Sequence, residues 1–211
     1  MNDFCFISVA FNPPYVGQQK RLKESILKIY PYATMFFWSD EMPPNAQPHE
    51  KSYYGFKVHA VDYAAKMGFK KIIWLDPACI LVKEVDYWFE LVKRYGVIAA
   101  KDDNLLVNHC ANFAYNYFGI YKEDCIKHNY HLVGGSLYVF DFNISTCNYI
   151  FNSWKQAELD GVFHSPENEY HRNDESCMAL ALYRYNSKPV PYDICGYNDV
   201  PDPIVIKKHF K

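Results

Sequence analysis

The sequence has no long apolar run, no cysteine framework, no glycine-rich phosphate loop and no dominant charge, and each absence removes a class of function. No stretch reaches the roughly 18 uncharged apolar residues that a membrane helix needs. The segment Met1 to Phe11 has neither a basic start before its apolar run nor a small-residue cleavage site after it. The expectation is a chain that neither spans a membrane nor is exported. The seven cysteines (Cys5, Cys79, Cys110, Cys125, Cys147, Cys177, Cys195) are odd in number, scattered and never spaced as CxxC. That argues against a disulfide or zinc framework and fits a reducing, cytoplasmic compartment. A net charge of −2, from 22 basic and 24 acidic residues, offers nucleic acid no electrostatic footprint. Asn12-Pro13-Pro14-Tyr15-Val16-Gly17 follows the first apolar run and matches neither GxGxxG nor GxxxxGK[ST], so dinucleotide and P-loop chemistry are excluded. His109, His128, His164 and His171 form no pair at metal-ligand spacing and read as surface or packing residues.

What is present is a chain of 211 residues, half of them apolar, enough for one core. Aromatic content is 18%, with 19 Tyr and 15 Phe, which supplies core and also suits a surface that stacks on flat or sugar-like ligands. Phe4 to Phe11 reads as a strand buried on both faces, and Lys71 to Leu75 as another, resumed at Cys79 to Val82 after Asp76-Pro77. Shorter strands are predicted at Thr34–Trp38, Val97–Ala100 and Ser136–Phe140, the last preceded by Gly134-Gly135. Helical spacing marks Gly17–Tyr30, Ser52–Met67 with Gly68 as its cap, Val85–Tyr95, Cys147–Leu159, and Asp174 to about Tyr185 capped by Asn173. Lys101 to Tyr130 has too weak a periodicity to assign. Strands alternating with helices predict an α/β fold: a mostly parallel central sheet with helices on both faces, in a single domain spanning 1–211.

In such sheets ligands bind beyond the carboxyl ends of the strands. Asn12, Ser39-Asp40, Asp76 and Lys101-Asp102-Asp103 follow predicted strands and are expected to share one crevice, bordered by Lys20, Arg21 and Lys57. Asp76 is the most informative, because a carboxylate at the tip of a buried strand needs a cation or hydrogen-bond donors. Capping of the turn at Pro77 is the alternative reading.

Phe56-Lys57-Val58, Asp62-Tyr63-Ala64-Ala65 and Gly68-Phe69-Lys70-Lys71-Ile72-Ile73-Trp74-Leu75-Asp76 resemble the helix and strand that deliver the DxD motif in nucleotide-sugar glycosyltransferases of the Rossmann-like GT-A fold. Leu132 to Phe140 resembles the segment lining the donor-sugar pocket, Asn173-Asp174-Glu175 the acidic motif beside the reacting sugar, and Lys207-Lys208-His209-Phe210-Lys211 the closing His-Phe element. The resemblance covers essentially the whole chain and extends to the N-terminal glycosyltransferase domains of chlorovirus proteins that build capsid glycans. It implies a domain of a longer protein, a UDP-sugar donor (glucose or a 6-deoxyhexose such as rhamnose), a glycan acceptor, and Mn²⁺ or Mg²⁺ held by Asp76 and His209. By the same resemblance Ser8, Ala10 and Asp40 meet base and ribose, Lys57 meets the diphosphate or ribose, Gly134 and Gly135 line the sugar pocket, and Lys207 or Lys208 adds positive charge. One departure matters. The chain has Asp76-Pro77-Ala78 where the family has Asp-x-Asp, so affinity for free metal is expected to be weak. Cys79 is too soft a ligand for these ions and reads as packing.

Sugar transfer needs a base within reach of the acceptor hydroxyl, and Asp174 and Glu175 are the candidates. Ordinary capping of a helix start would explain the same two acids. Tyr15 or Phe37 would stack on the base, and Asp102, Asp103 and His131 are weaker sugar-binding candidates. Inverting and retaining outcomes both stay open, with two acids favouring inversion. A non-catalytic carbohydrate-binding module is the competing class. A glycoside hydrolase is disfavoured because adjacent side chains are expected to diverge.

Overall fold

The apolar run at the N-terminus forms strand β1 (Phe4–Ala10), buried along its whole length because both of its faces are covered. The structure, a computed structural model, describes residues 3–164 and 170–209. Phe210 and Lys211 of the closing element lie outside the described residues. β1 is flanked by β2 (Thr34–Ser39) and β3 (Lys71–Leu75), both parallel to it. Next come β6 (His131–Asp141), antiparallel to both its neighbours, and β5 (Ile98–Leu105) at the far edge, in the order β2-β1-β3-β6-β5. All strands but β6 point the same way, so the mostly parallel sheet is as expected.

Side chains alternate across this sheet. Ile7, Trp74 and Tyr138 share a register row and one face, toward α2 (Phe56–Lys66), α6 (Ser145–Leu159) and α7 (Asn173–Arg184). There Trp74 meets Phe56, and Tyr138 meets Trp154. Phe4 and Phe6 turn to the other face, where Phe4 packs on Tyr30 at the end of α1 (Pro13–Ile29) and on Phe89 of α3 (Asp86–Tyr95).

Several boundaries differ from the sequence reading. α1 begins at Pro13, not Gly17, because Pro13 and Pro14 fall in the first turn, where a missing N–H is harmless. α2 begins only at Phe56, since Tyr54 has φ 60, which no helix accommodates. β4 (Cys79–Leu81) does not resume the main sheet. A turn closed by Cys79 N–H on Asp76 C=O redirects it into a two-stranded antiparallel ribbon with β7 (Val205–Lys207). β5 runs past Ala100 against the long β6, so Lys101-Asp102-Asp103 lie within an edge strand, not at its tip. The unassigned middle holds the rest of β5, a 3₁₀ turn over 106–108, α4 (Asn112–Phe118) and α5 (Lys122–Lys127), helices too short to print a period; α8 (Tyr192–Cys195) comes later and is shorter still. Asn173 does not cap α7. It is the first helical residue, and its amide donates to Phe163 C=O at 2.6 Å.

All seven cysteines are buried and free. Among the described residues no helix is long and apolar enough to cross a membrane.

Candidate functional site

The chain leaves β1 for β2 on one side while the sheet continues to β3 on the other, so strand order reverses between β1 and β3 and a crevice opens at their carboxyl ends. A cleft of about 1010 Å³ lies there, lined among others by Ala10, Asn12, Asp76, Asp174, Glu175 and Lys207. The antiparallel run of β6 brings its early residues to the tip of β3. Leu137 pairs with Leu75, and the next backbone bond runs from Asp76 N–H to Ser136 C=O at 3.0 Å. Gly135 and Ser136 therefore flank Asp76.

Gly135 is the hub of a buried cluster. Its carbonyl accepts from Lys57 Nζ and from Trp74 Nε1, each at 3.0 Å, while Lys57 Nζ lies 2.7 Å from Asp174 Oδ2. Its N–H donates to Glu175 Oε1 at 2.9 Å. A Cβ on Gly135 would stand 2.5 Å from Lys57 Nζ, 3.0 Å from Glu175 Oε1 and 3.2 Å from Asp174 Oδ2, so only glycine permits this approach. The two acids thus converge on one residue instead of diverging as expected. Asp174 is further fixed through its carbonyl, which accepts from Trp154 Nε1 at 3.0 Å. Both acids lie in the first turn of α7, but their carboxylates are spent on Lys57 and Gly135, and no side-chain cap is formed.

The electrostatics follow from burial. Burial works against the Lys57 charge, but Asp174, Asp76 and Glu175 outweigh it and hold the ammonium above the usual lysine range. Burial pushes the Asp174 carboxyl up, and the Lys57 contact opposes this and keeps it paired. Glu175 is pushed up to about 7, first by burial and then by the Asp174 charge, with Lys57 and Arg172 pulling against them. Arg172 Nε lies 2.8 Å from Glu175 Oε2, yet this oxygen has no aligned hydrogen-bond donor among the described residues.

Beside this cluster, at Ser136, Asp76 is held more loosely. Its Oδ2 accepts from Ser136 Oγ at 2.8 Å, Lys207 Nζ donates to the same hydroxyl at 2.6 Å, and Lys207 and Asp76 stand 3.7 Å apart. The β4–β7 ribbon carries Lys207 to Asp76, and His209, two residues further on, lines the same cleft. Lys208 instead uses its N–H on Ala78 C=O, and its carbonyl accepts from Arg21. Arg21 also donates to Ala78 C=O at 3.1 Å, so it ties down the ribbon, and Lys20 is an exposed helix charge. Among the described residues no three His, Cys, Asp or Glu side chains converge as a metal cage. A hard carboxylate and an imidazole facing one cleft nevertheless suit Mg²⁺ or Mn²⁺, which complete their shells with water and phosphate oxygens. Ala78 is buried, and Cys79 is a packing residue whose thiol is pushed up by burial.

Of the remaining expected residues, Ser8 is buried beneath the cleft, whereas Ala10 lines it. Asp40 borders it by accepting from Asn12 N–H at 2.9 Å. Gly134 has room for a side-chain carbon, since an added Cβ would make ordinary contacts at 3.9 Å with Ala100 C=O and Tyr192 Oη. Tyr15 lines the cleft; Phe37 packs against the core. Asp102 on the edge strand β5 and His131 on the neighbouring β6 meet each other, with His131 Nδ1 3.0 Å from Asp102 C=O. Sequence reasoning did not single out Ser136, Arg172, Trp74 or Tyr54 as site residues. Only Arg172 carried a readable signal, its spacing of three from Glu175.

No protein-family model matches the chain, and no curated protein matches it in sequence. Solved structures do match. The bifunctional glycosyltransferase WbbM, in its apo structure, aligns over 99% of this chain with a TM-score of 0.59 at 10% identity, and the match spans 46% of the WbbM chain, less than half its length. The galactosyltransferase LgtC, solved with donor and acceptor sugar analogues, aligns over 96% of this chain and 86% of its own at 10% identity, with a TM-score of 0.45. At such identity the likeness to WbbM is one of fold, and the architecture is GT-A.

Proposed function

We propose that this chain is a glycosyltransferase domain that moves a sugar from a nucleoside-diphosphate donor, a UDP-sugar, to a hydroxyl of a glycan acceptor. The observation that carries the reading is that one cleft at the carboxyl end of the sheet gathers Asp174, Glu175, Asp76 and the Lys207 ammonium. Glu175, pushed up to about 7 by burial and by the Asp174 charge, is ion-paired with Arg172, and Asp76 sits beside the Lys207 ammonium. A carboxyl poised near the working pH is suited to accept a proton.

In the transfer, the acceptor oxygen bonds to the anomeric carbon as the bond from that carbon to the diphosphate oxygen breaks. The acceptor proton passes to Glu175, and the nucleoside diphosphate departs. Asp174 is the poorer base because its charge is committed to Lys57 at 2.7 Å; it fixes the lysine and, through Gly135, the orientation of Glu175. Lys207 supports the charge that grows on the departing diphosphate. A divalent ion held by Asp76 and His209 would supply Lewis-acid neutralisation of that same charge. Two acids rather than an amide at this position favour inversion. The glucose or 6-deoxyhexose donor and a viral capsid glycan as product rest on the sequence resemblance. A binding module would have no use for a buried acid poised near neutral pH.

The test is release of UDP from a panel of UDP-sugars with glycan acceptors. Glu175→Gln is expected to lower kcat by about 10²–10⁴-fold while leaving UDP binding intact. Full turnover in Glu175→Gln would remove the proposed base.

A further inference from the structure

We propose that Tyr54 contacts the transferred sugar of the donor, and that a buried clasp of Ser52, His59 and Glu158 sets its position; this rests on the nucleotide-sugar reading above. Tyr54 lines the cleft and keeps 43% of its surface exposed, yet its backbone has φ 60. An aromatic residue in the left-handed region is uncommon and persists only where its surroundings impose it. Lys57 Nζ stands 5.1 Å from the ring centroid, and the His49 ring abuts it edge-on at 4.9 Å. Tyr54 thus borders the ammonium that joins Asp174 to Gly135. Burial raises its phenol, the Asp174 charge adds to this and Lys57 opposes it, with smaller upward contributions from Glu175 and Asp76, so the ring stands near all of these charges.

What imposes this conformation is on the far side of the turn. Ser52 Oγ donates to Glu158 Oε1 at 2.9 Å, and His59 Nε2 lies 3.1 Å from Glu158 Oε2, with all three residues buried. Gly55 presses onto the same group: a Cβ there would fall 2.2 Å from Ser52 Oγ and 2.7 Å from Glu158 Oε1. Tyr54 is therefore suspended between Ser52, tied to α6, and Gly55, packed against that tie. The transfer chemistry makes no use of the clasp, and a buried carboxylate is costly to keep unless it does something. Fixing a side chain that meets substrate from a rigid helix is such a use. Glu158 is a positioning residue, and Tyr54 a specificity residue.

The experiment is calorimetric titration of the whole domain with UDP and with UDP-glucose, each with Mn²⁺, in the wild type, Tyr54→Ala, Ser52→Ala, Glu158→Ala and the Tyr54→Ala/Ser52→Ala pair. Tyr54→Ala is expected to weaken UDP-glucose relative to UDP by about fivefold, with UDP itself unchanged. Ser52→Ala and Glu158→Ala are expected to give a selective loss of the same sign, and Ser52→Ala to add nothing on top of Tyr54→Ala. Equal loss for both ligands, or none, in Tyr54→Ala overturns the sugar contact. A selective loss in Tyr54→Ala with unchanged selectivity in Ser52→Ala overturns the clasp, and that milder variant decides the point even if Glu158→Ala does not fold. A wild type that binds neither ligand refutes the nucleotide-sugar reading before any variant is made, and this inference with it.

Discussion

In one part of the cleft Lys57 and Asp174 are buried and pair directly, with the half-buried Glu175 joined to them through Gly135; in the other, Asp76 and Lys207 keep 25% and 30% of their side chains exposed and meet through a serine hydroxyl and a 3.7 Å contact. The first group rests on the sheet and on α2 and α7; in the second, Asp76 and Ser136 belong to the same sheet, but Lys207 depends on a two-stranded ribbon that includes β7. The difference matches what each must do. A base and its supports gain by being fixed before the reaction, because no reorganisation is then needed when charge moves. A diphosphate and a cation must enter and leave, and a site that is complete before they arrive would have no room for their oxygens and waters.

The sharpest way to break this contrast is to remove the buried cation. Lys57→Met leaves the Asp174 charge without its partner and is expected to cost about 3–5 kcal/mol in urea denaturation. Adding Asp174→Leu should recover most of that stability without restoring transfer. A single variant no less stable than Lys20→Met would show that the pair does not hold this group together. Next comes the glycine pair. Gly135→Ala drives a methyl group into Lys57 and both acids and is expected to cost about 1–3 kcal/mol together with activity. Gly134→Ala, whose methyl group would meet its neighbours at an ordinary 3.9 Å, should stay within about 0.5 kcal/mol. Equal thermal shifts in the two would mean that the close approach at Gly135 is not what the cluster needs.

The smallest effect is that of pH. The Glu175 carboxyl is raised from 4.5 to about 7, so the folded state binds this proton more tightly than the unfolded one. Its contribution to stability is therefore complete below about pH 4.5 and is lost as pH rises through about 7. Activity moves the other way, since kcat/KM rises as Glu175 becomes a free base near pH 7. The urea midpoint of the wild type minus that of Glu175→Gln should fall across this window, and a flat difference would remove the perturbed acid.

The sheet was legible because β1 and β3 are nearly unbroken apolar runs and the intervening helices carry clear periodicity. Sequence pattern misplaced Gly134-Gly135 ahead of β6, because glycine usually punctuates strands, whereas Gly135 lies inside one to admit three charged groups. The departure of β4 from the main sheet was hidden for a similar reason: its partner β7 lies far along the chain, and local periodicity carries no information about pairing. Asp76 was legible at a strand end, Asp174 and Glu175 at a helix start, Lys57 on a helix bordering the crevice and Lys207 through the family resemblance, but their division into a tight group and a loose one was not. That division depends on distances across the fold. Tyr54 escaped notice because an aromatic residue before a helix looks ordinary until its backbone angle is known.

The central claim is that this cleft takes a nucleoside diphosphate with the help of Asp76, and calorimetric titration with UDP, with and without Mn²⁺, tests it most directly in the wild type and in Asp76→Ala. Binding that depends on Mn²⁺ in the wild type and falls by about tenfold or more in a folded Asp76→Ala is the expected result. Absence of UDP binding under either condition, or Mn²⁺-supported binding undiminished in Asp76→Ala, would contradict it.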